Sequence, residues 1–170
     1  MTDVIDVLAD TRAAVNDLVA AAERSGAAWS TPRAPGKWSP SQVVEHVALA
    51  LEESANVVSG APSKFPTFPA VLRPLVRSVF FNRVLKKKTF PKAKTTRAFN
   101  PANGPSTPAL ARARLEGALA RFDQECRARA ASGRNVVSGI FGTVSVEDYA
   151  RFQEVHTRHH CKQMPGATSQ

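Results

Sequence analysis

The chain of 170 residues has little cysteine, histidine or tyrosine: two, four and one respectively. Cys126 and Cys161 make no metal-type or redox-type spacing, and both read as reduced thiols. No apolar run approaches the roughly 18 residues that suggest a membrane span. No glycine-rich phosphate loop and no internal repeat is present. The first residues, Met1-Thr2-Asp3-Val4-Ile5-Asp6, are acidic and amphipathic, unlike a signal peptide. A cytoplasmic location is the expectation. No Ser-His-Asp or Cys-His arrangement points to nucleophilic catalysis, and Ser39 and Ser145 read as helix caps. Acidic residues are missing from a whole segment. Between Ser54 and Leu115 there are 12 Lys/Arg and no Asp/Glu, leaving 11 of the 23 basic residues against all 14 acidic ones. The net charge of +9 therefore belongs to one segment and not to the fold as a whole.

What is present is helical periodicity. Residues 3–25 carry Val4, Leu8, Thr11, Val15, Leu18 and Ala22 at steps of four and three, the seam of a bundle helix. Gly26 stands where a left-handed cap is expected. After a connection holding Pro32, Pro35 and Gly36, the run Trp38-Ser39-Pro40-Ser41-Gln42 reads as a capping box with proline in the first helical position. The helix that follows reaches about Val58, with Val43, His46, Val47, Ala50, Leu51 and Val57 along one side. A short link makes these two helices antiparallel neighbours. Residues 107–131 form a third long helix, capped by Thr107 and ended by Gly133. Residues 132–144 connect it to the last one, with Ile140-Phe141-Gly142 buried at the turn. Residues 59–107 break the pattern with seven prolines. Within them Ala70–Lys88 reads as a basic helix with Leu72, Leu75, Val76, Val79, Phe80 and Val84 on an apolar face packed on the bundle. The chain is therefore expected to be all-α. It is one domain over residues 1–170, a four-helix bundle in up-down-down-up order, with a long basic, proline-rich crossover at about 59–107.

The last helix, Ser145 to Gln163, holds three of the four histidines. At 100° per residue Tyr149, Phe152, His156, His159, His160 and Gln163 share one stripe, while Arg151, Glu154 and Arg158 lie opposite and suit water. The fourth, His46, sits in the apolar stripe of the second helix. His156 and His160, four apart, can reach one metal ion from a single helix. His46 is the natural third ligand. His159 can replace His160 on the helical wheel, since it lies three residues from His156. Three neutral imidazoles suit Zn²⁺, Ni²⁺, Cu²⁺ or Fe²⁺ and leave room for water or substrate. Gln163 and Tyr149 can support the ligands or line a pocket. A lone inward histidine is more often a hydrogen-bonded core residue. Three of them on two helices, with few carboxylates on those faces to bond them, favour a shared ion. A ferritin-like carboxylate site is disfavoured because no Glu-x-x-His pair occurs. Cys161 points about 140° from His156, away from this stripe. Trp29 and Trp38 read as core or hinge residues.

Trp38-Ser39-Pro40-x-x-Val43-x-x-His46, followed far downstream by His156-Thr157-Arg158-His159-His160-x-x-Gln163, resembles the DinB-like metal-binding bundle superfamily. The resemblance covers roughly residues 3–58 and 107–164. It implies a four-helix bundle with a three-histidine divalent site, often zinc or nickel. It maps the ligands onto His46, His156 and His160, and makes His159 the accompanying histidine that does not ligate. Some relatives are transferases or isomerases acting with low-molecular-weight thiols such as mycothiol, bacillithiol or glutathione. The long basic insert resembles uncharacterised branches of the superfamily more than the thiol-dependent isomerases.

The leading expectation is a metal-dependent thiol S-transferase or isomerase acting on a small, anionic molecule, as a monomer or homodimer. Metal-assisted hydrolysis is the variant within enzymes. The competing class is a non-enzymatic module whose basic segment docks on an anionic surface or ligand. No nucleic-acid motif and little aromatic interleaving accompany the charge, so nucleic acid is not expected as a partner. Ala70–Lys88 fits a membrane-surface helix better, and fits equally well as a lid over the bundle.

Overall fold

The computed structural model describes residues 3–91 and 95–165, so residues 92–94 of the crossover lie outside it. Among these described residues nearly all regular structure is helical, with one two-stranded hairpin. Four helices are long: α1 (Val4–Glu23), α2 (Pro40–Ser59), α5 (Pro108–Ala131) and α6 (Val146–Cys161). Two short ones, α3 (Arg73–Val76) and α4 (Asn82–Lys87), lie in the crossover. The strands are β1 (Val136–Ser138) and β2 (Gly142–Val144).

The helix starts follow local chemistry. Asp3, Ser39, Thr107 and Ser145 each accept a backbone N–H of the first turn with a side-chain oxygen. At α2 the box is reciprocal, since Gln42 Oε1 accepts the Ser39 N–H at 3.0 Å. Arg24, not a glycine, caps α1 in a right-handed conformation, and Gly26, at φ +50°, opens a short 3₁₀ turn beyond it. The shared core draws Leu8, Val15 and Leu18 from α1 and Val44, Val47 and Leu51 from α2. It adds Leu115, Leu119 and Phe122 from α5 and Ala150 from α6.

Polar ladders show how the long helices run past one another. Arg114 of α5 is bonded to Glu45 and Glu52 of α2, Arg121 to Asn56, and Arg129 to the Val58 carbonyl, so both helices climb together. Arg151 and Arg158 of α6 reach Asp10 and Asp17 of α1, again in the same sense. Arg112 meets Glu23 and Arg12 meets Asp123, so α1 and α5 run oppositely. Arg151, Glu154 and Arg158, expected to face water, form the polar seam between α1 and α6 instead. The neighbours also differ from expectation. α1 packs chiefly on α5 and α6 and only sparsely on α2, because α2 is tied to α5 and the link from Arg24 to Ser39 is long enough to cross the bundle.

The crossover is not one α-helix. A 3₁₀ turn (Ala70–Leu72) leads into α3, a π turn spans Arg77–Phe81, and α4 follows. The wider π turn brings two consecutive phenylalanines inward, Phe80 half-buried and Phe81 fully buried. Val84 is also buried. Leu72, Leu75 and Val79, expected on the packed face, are exposed. The connection at 132–144 is a hairpin with Val136 opposite Val144. Phe141 is buried, while Ile140 and Gly142 are half-buried. The return of the crossover is pinned over the start of α2. Trp29 Nε1 donates to the Pro105 carbonyl, Trp38 Nε1 to Asn100 Oδ1, and Gln42 Nε2 to the Pro101 carbonyl. The backbone passes so close that a Cβ on Gly104 would collide with the Ser41 carbonyl.

Candidate metal centre

His46 stands on α2, and His156 and His160 stand on α6. The capping box that starts α2 at Ser39 places His46 on the second turn, facing α6. The i, i+4 spacing stacks His156 and His160 on one face of α6. One ring nitrogen from each of the three lies within 4.8 Å of the others. Nε2 of His156 is 3.2 Å from Nε2 of His46 and 3.1 Å from Nε2 of His160.

The outer nitrogens set the tautomers. His46 Nδ1–H donates to the Phe99 carbonyl at 2.7 Å, so its Nε2 presents a lone pair. His160 Nδ1–H donates to Gln163 Oε1 at 3.0 Å, with the same result. Gln163 then uses its amide nitrogen to donate to His159 Nε2 at 3.1 Å. His159 is thus turned away from the three converging nitrogens and lies beside Phe90. Of the two candidates for third partner, the structure brings His160 to the cluster.

Hydrogen bonding does not exhaust this arrangement. Two of the three nitrogens are fixed as acceptors, and a proton on His156 Nε2 can serve only one of them. A divalent ion serves all three. With bonds of about 2.0–2.1 Å and tetrahedral angles, neighbouring ligand nitrogens stand roughly 3.3 Å apart, close to the separations found. Burial also keeps the rings neutral, the form that ligates. It pushes the His160 pKa down to about 3, with neighbouring His46 and His159 adding to the effect. Burial lowers His46 as well, partly offset by the Phe99 bond. It drives His156 well below the ordinary value, helped by the adjacent imidazoles. His159 is lowered by burial and by Lys162.

The cluster lies in the wall of a cavity of about 440 Å³ between α2, α6, the hairpin and the crossover. Eight of the residues in its wall are Trp, Tyr or Phe. Trp38 stands 4.7 Å from His46, Phe90 stands 5.1 Å from His156, and Phe65 stacks on Phe99 at 4.5 Å between ring centroids. Tyr149, Phe152, Gln153, Phe80 and Phe141 also line it, and exposed Arg33 and Lys37 stand at its margin. Tyr149 lines the cavity rather than bonding a histidine, and burial raises its pKa.

Sequence reasoning missed Trp38 as a wall residue, and missed Phe65, Phe90 and the Phe99 carbonyl altogether. A usable signal was present: six of the nine phenylalanines fall within residues 59–107. Cys161 sits on the far side of α6, its thiol donating to the Ala14 carbonyl, and burial raises its pKa to about 11. Cys126 is buried in the core and raised to about 12 by burial. Both are free thiols, and neither belongs to the cavity.

The family model of the DinB superfamily matches residues 5–164, and the chain belongs to that superfamily. No curated protein and no solved structure compared with the chain matches it.

Proposed function

We propose that this DinB superfamily member is a metal-dependent enzyme that acts on a small molecule held in the aromatic cavity, most plainly a thiol S-transferase or isomerase. His46, His156 and His160 are its ligands for one divalent ion, zinc or nickel. The observation that carries the reading is the convergence of three Nε2 atoms, two with tautomers fixed from outside, on the wall of a cavity large enough for substrate. The bound ion lowers the pKa of a thiol or water that joins it.

The chain's own residues do the rest. Phe99 and Gln163 hold two ligand rings in place. Phe65, Phe80 and Phe90 exclude water and offer flat apolar surface to a substrate. Arg33 and Lys37 stand where a carboxylate on a thiol or electrophile would enter. Among the described residues no carboxylate lines the cavity, which leaves His159 as the candidate general base for the hydrolase variant.

The wider reading follows from the same features. The chain is one domain over residues 1–170, a four-helix up-down-down-up bundle. The parallel ladder from Glu45–Arg114 to Val58–Arg129 and the crossed sense of α1 and α5 support that order. Among the described residues no helix is long and apolar enough to cross a membrane, and the cytoplasm is the proposed location.

The test is elemental analysis of protein purified without an affinity tag, followed by thermal shift with a panel of low-molecular-weight thiols. We expect one ion per chain, lost in His46→Ala, and a thiol-dependent rise in melting temperature only when the ion is present. Full thiol response in the metal-free protein would overturn the enzyme reading. Absence of any metal-dependent thiol response, with a soluble anionic ligand still bound by His46→Ala, would favour the non-enzymatic module.

A further inference from the structure

Among the described residues, six of the eight exposed large apolar side chains fall in the crossover and the hairpin, and only Ile5 on α1 and Leu110 on α5 stand elsewhere. Val71, Leu72, Leu75 and Val79, at 83%, 44%, 61% and 60% exposure, all lie on the outer side of the crossover helices. The inner side is already occupied, since Phe81 and Val84 are buried in the bundle. The hairpin extends the outer patch. Phe68 N–H donates to the Gly139 carbonyl, Arg77 donates to the Thr143 carbonyl, and exposed Val137 is the cross-strand partner of Thr143.

The charge around this strip has one sign. Arg73, Arg77, Arg83, Lys86, Lys87 and Lys88 accompany it, and none is in an ion pair among the described residues. Arg73 and Arg77 also border a groove of about 450 Å³ between the crossover helices and the hairpin, together with Ser78 and Asn82 and, among the described residues, without any carboxylate. An apolar strip flanked by unpaired cations and by a cationic groove needs an occupant that is apolar and anionic together.

We infer that this face docks on an anionic lipid bilayer, with Val71, Leu75 and Val79 entering the interface and a headgroup phosphate seated beside Arg73 and Arg77. Charge decides against a second copy of the chain. A two-fold interface would set the same patch against itself and bring two uncompensated basic clusters together. A bilayer rich in anionic lipid supplies the opposite charge and the apolar depth at once. The same helices lend Phe80 to the cavity wall, so docking would lay the bilayer beside that wall.

Sedimentation with vesicles tests this on the full chain, in the metal-loaded and chelated states alike. We expect binding to vesicles of phosphatidylcholine with about one-third phosphatidylglycerol, weakening as salt is added, and at least about tenfold weaker binding to phosphatidylcholine alone. The variant Val71→Ser, Leu75→Ser, Val79→Ser should lose most of this binding, as should Arg73→Gln, Arg77→Gln. Circular dichroism and melting checks that each variant folds; if the arginine pair, whose members also bond to backbone carbonyls, fails to fold, Lys86→Ala, Lys87→Ala, Lys88→Ala replaces it with the same expectation. No binding by the unmodified chain, or full binding by the folded serine variant, overturns the proposal. A dimer in analytical ultracentrifugation that the serine variant dissolves, without vesicle binding, overturns it in favour of a second copy.

Discussion

The Nδ1–H of His46 points at the Phe99 carbonyl oxygen, 2.7 Å away, so a helix residue is oriented by the backbone of the distant crossover. The contact spans 53 positions of sequence and places the crossover's return strand in the construction of the site. Phe99 is held there by stacking on Phe65 and by the bonds from Trp38 and Gln42 to Asn100 and Pro101. Replacing Phe65 by Ala should therefore loosen the carbonyl without touching any ligand. We expect zinc affinity to fall by about 10-fold, within the range seen when such supporting groups are lost, as read by competition with a chromogenic chelator.

Gln163 links two histidines, but only one belongs to the cluster. Gln163→Leu removes the acceptor that fixes His160 and should weaken zinc binding by about 10–100-fold. His159→Ala removes the outer partner of Gln163 and should have the smaller effect. A larger loss from His159→Ala in the same titration would mean that the ligand on α6 is His159.

These two contacts show where the sequence was legible and where it was not. The helical wheel placed His46, His156, His160 and Gln163 on inward faces because side-chain direction on a helix follows from spacing alone. The caps at Ser39, Thr107 and Ser145 were equally local and equally readable. The Phe99 carbonyl was not, because every residue has a carbonyl and its place depends on how the return strand crosses α2. The neighbours of α1 were misjudged for a similar reason: the Arg114 bonds to Glu45 and Glu52 pair α2 with α5 across more than sixty residues. In the crossover the π turn at Arg77–Phe81 shifted the inward face, and a wheel that assumes a constant 100° step cannot follow that.

Acid should destabilise the metal-free protein through the cluster. Burial lowers all three pKa values in the folded state, His160 to about 3, whereas an unfolded histidine titrates near 6.5. Between those values the unfolded chain binds more protons than the folded one, so stability falls as pH falls. Each imidazole that stays neutral contributes up to about 1.4 kcal/mol per pH unit below 6.5. Urea melts of chelated protein from pH 7 to pH 4.5 should show this loss, and His156→Ala with His160→Ala should flatten it.

Gly104 is required by proximity, since its Cα faces the Ser41 carbonyl with no room for a Cβ. Gly104→Ala must push the return strand off the start of α2, at a cost of about 1–3 kcal/mol by the usual scale of overpacking. Because Asn100 and Pro101 move with that strand, zinc affinity should fall together with the urea midpoint. A midpoint that drops with unchanged affinity would show that the strand and the Phe99 carbonyl are not mechanically joined.

The π turn brings two consecutive phenylalanines inward to different places, one into the core and one into the cavity wall. Phe81 is 1% exposed and packs on Phe141 and Phe152 with ring centroids 4.8 and 5.0 Å away. Phe80 is half-buried and lines the cavity, 5.8 Å from Phe90. Truncating Phe81 to Ala empties a filled core site and should cost about 3–5 kcal/mol. Phe80→Ala removes less buried surface and leaves an opening that the cavity already provides, so its cost should be nearer 1–2 kcal/mol by area. Its larger effect should fall on ligand binding. Equilibrium urea denaturation separates the two, and equal costs would mean that the turn does not divide wall from core. The exposed neighbour Val79→Ala, on the same turn, should stay within about 0.5 kcal/mol of the unmodified protein.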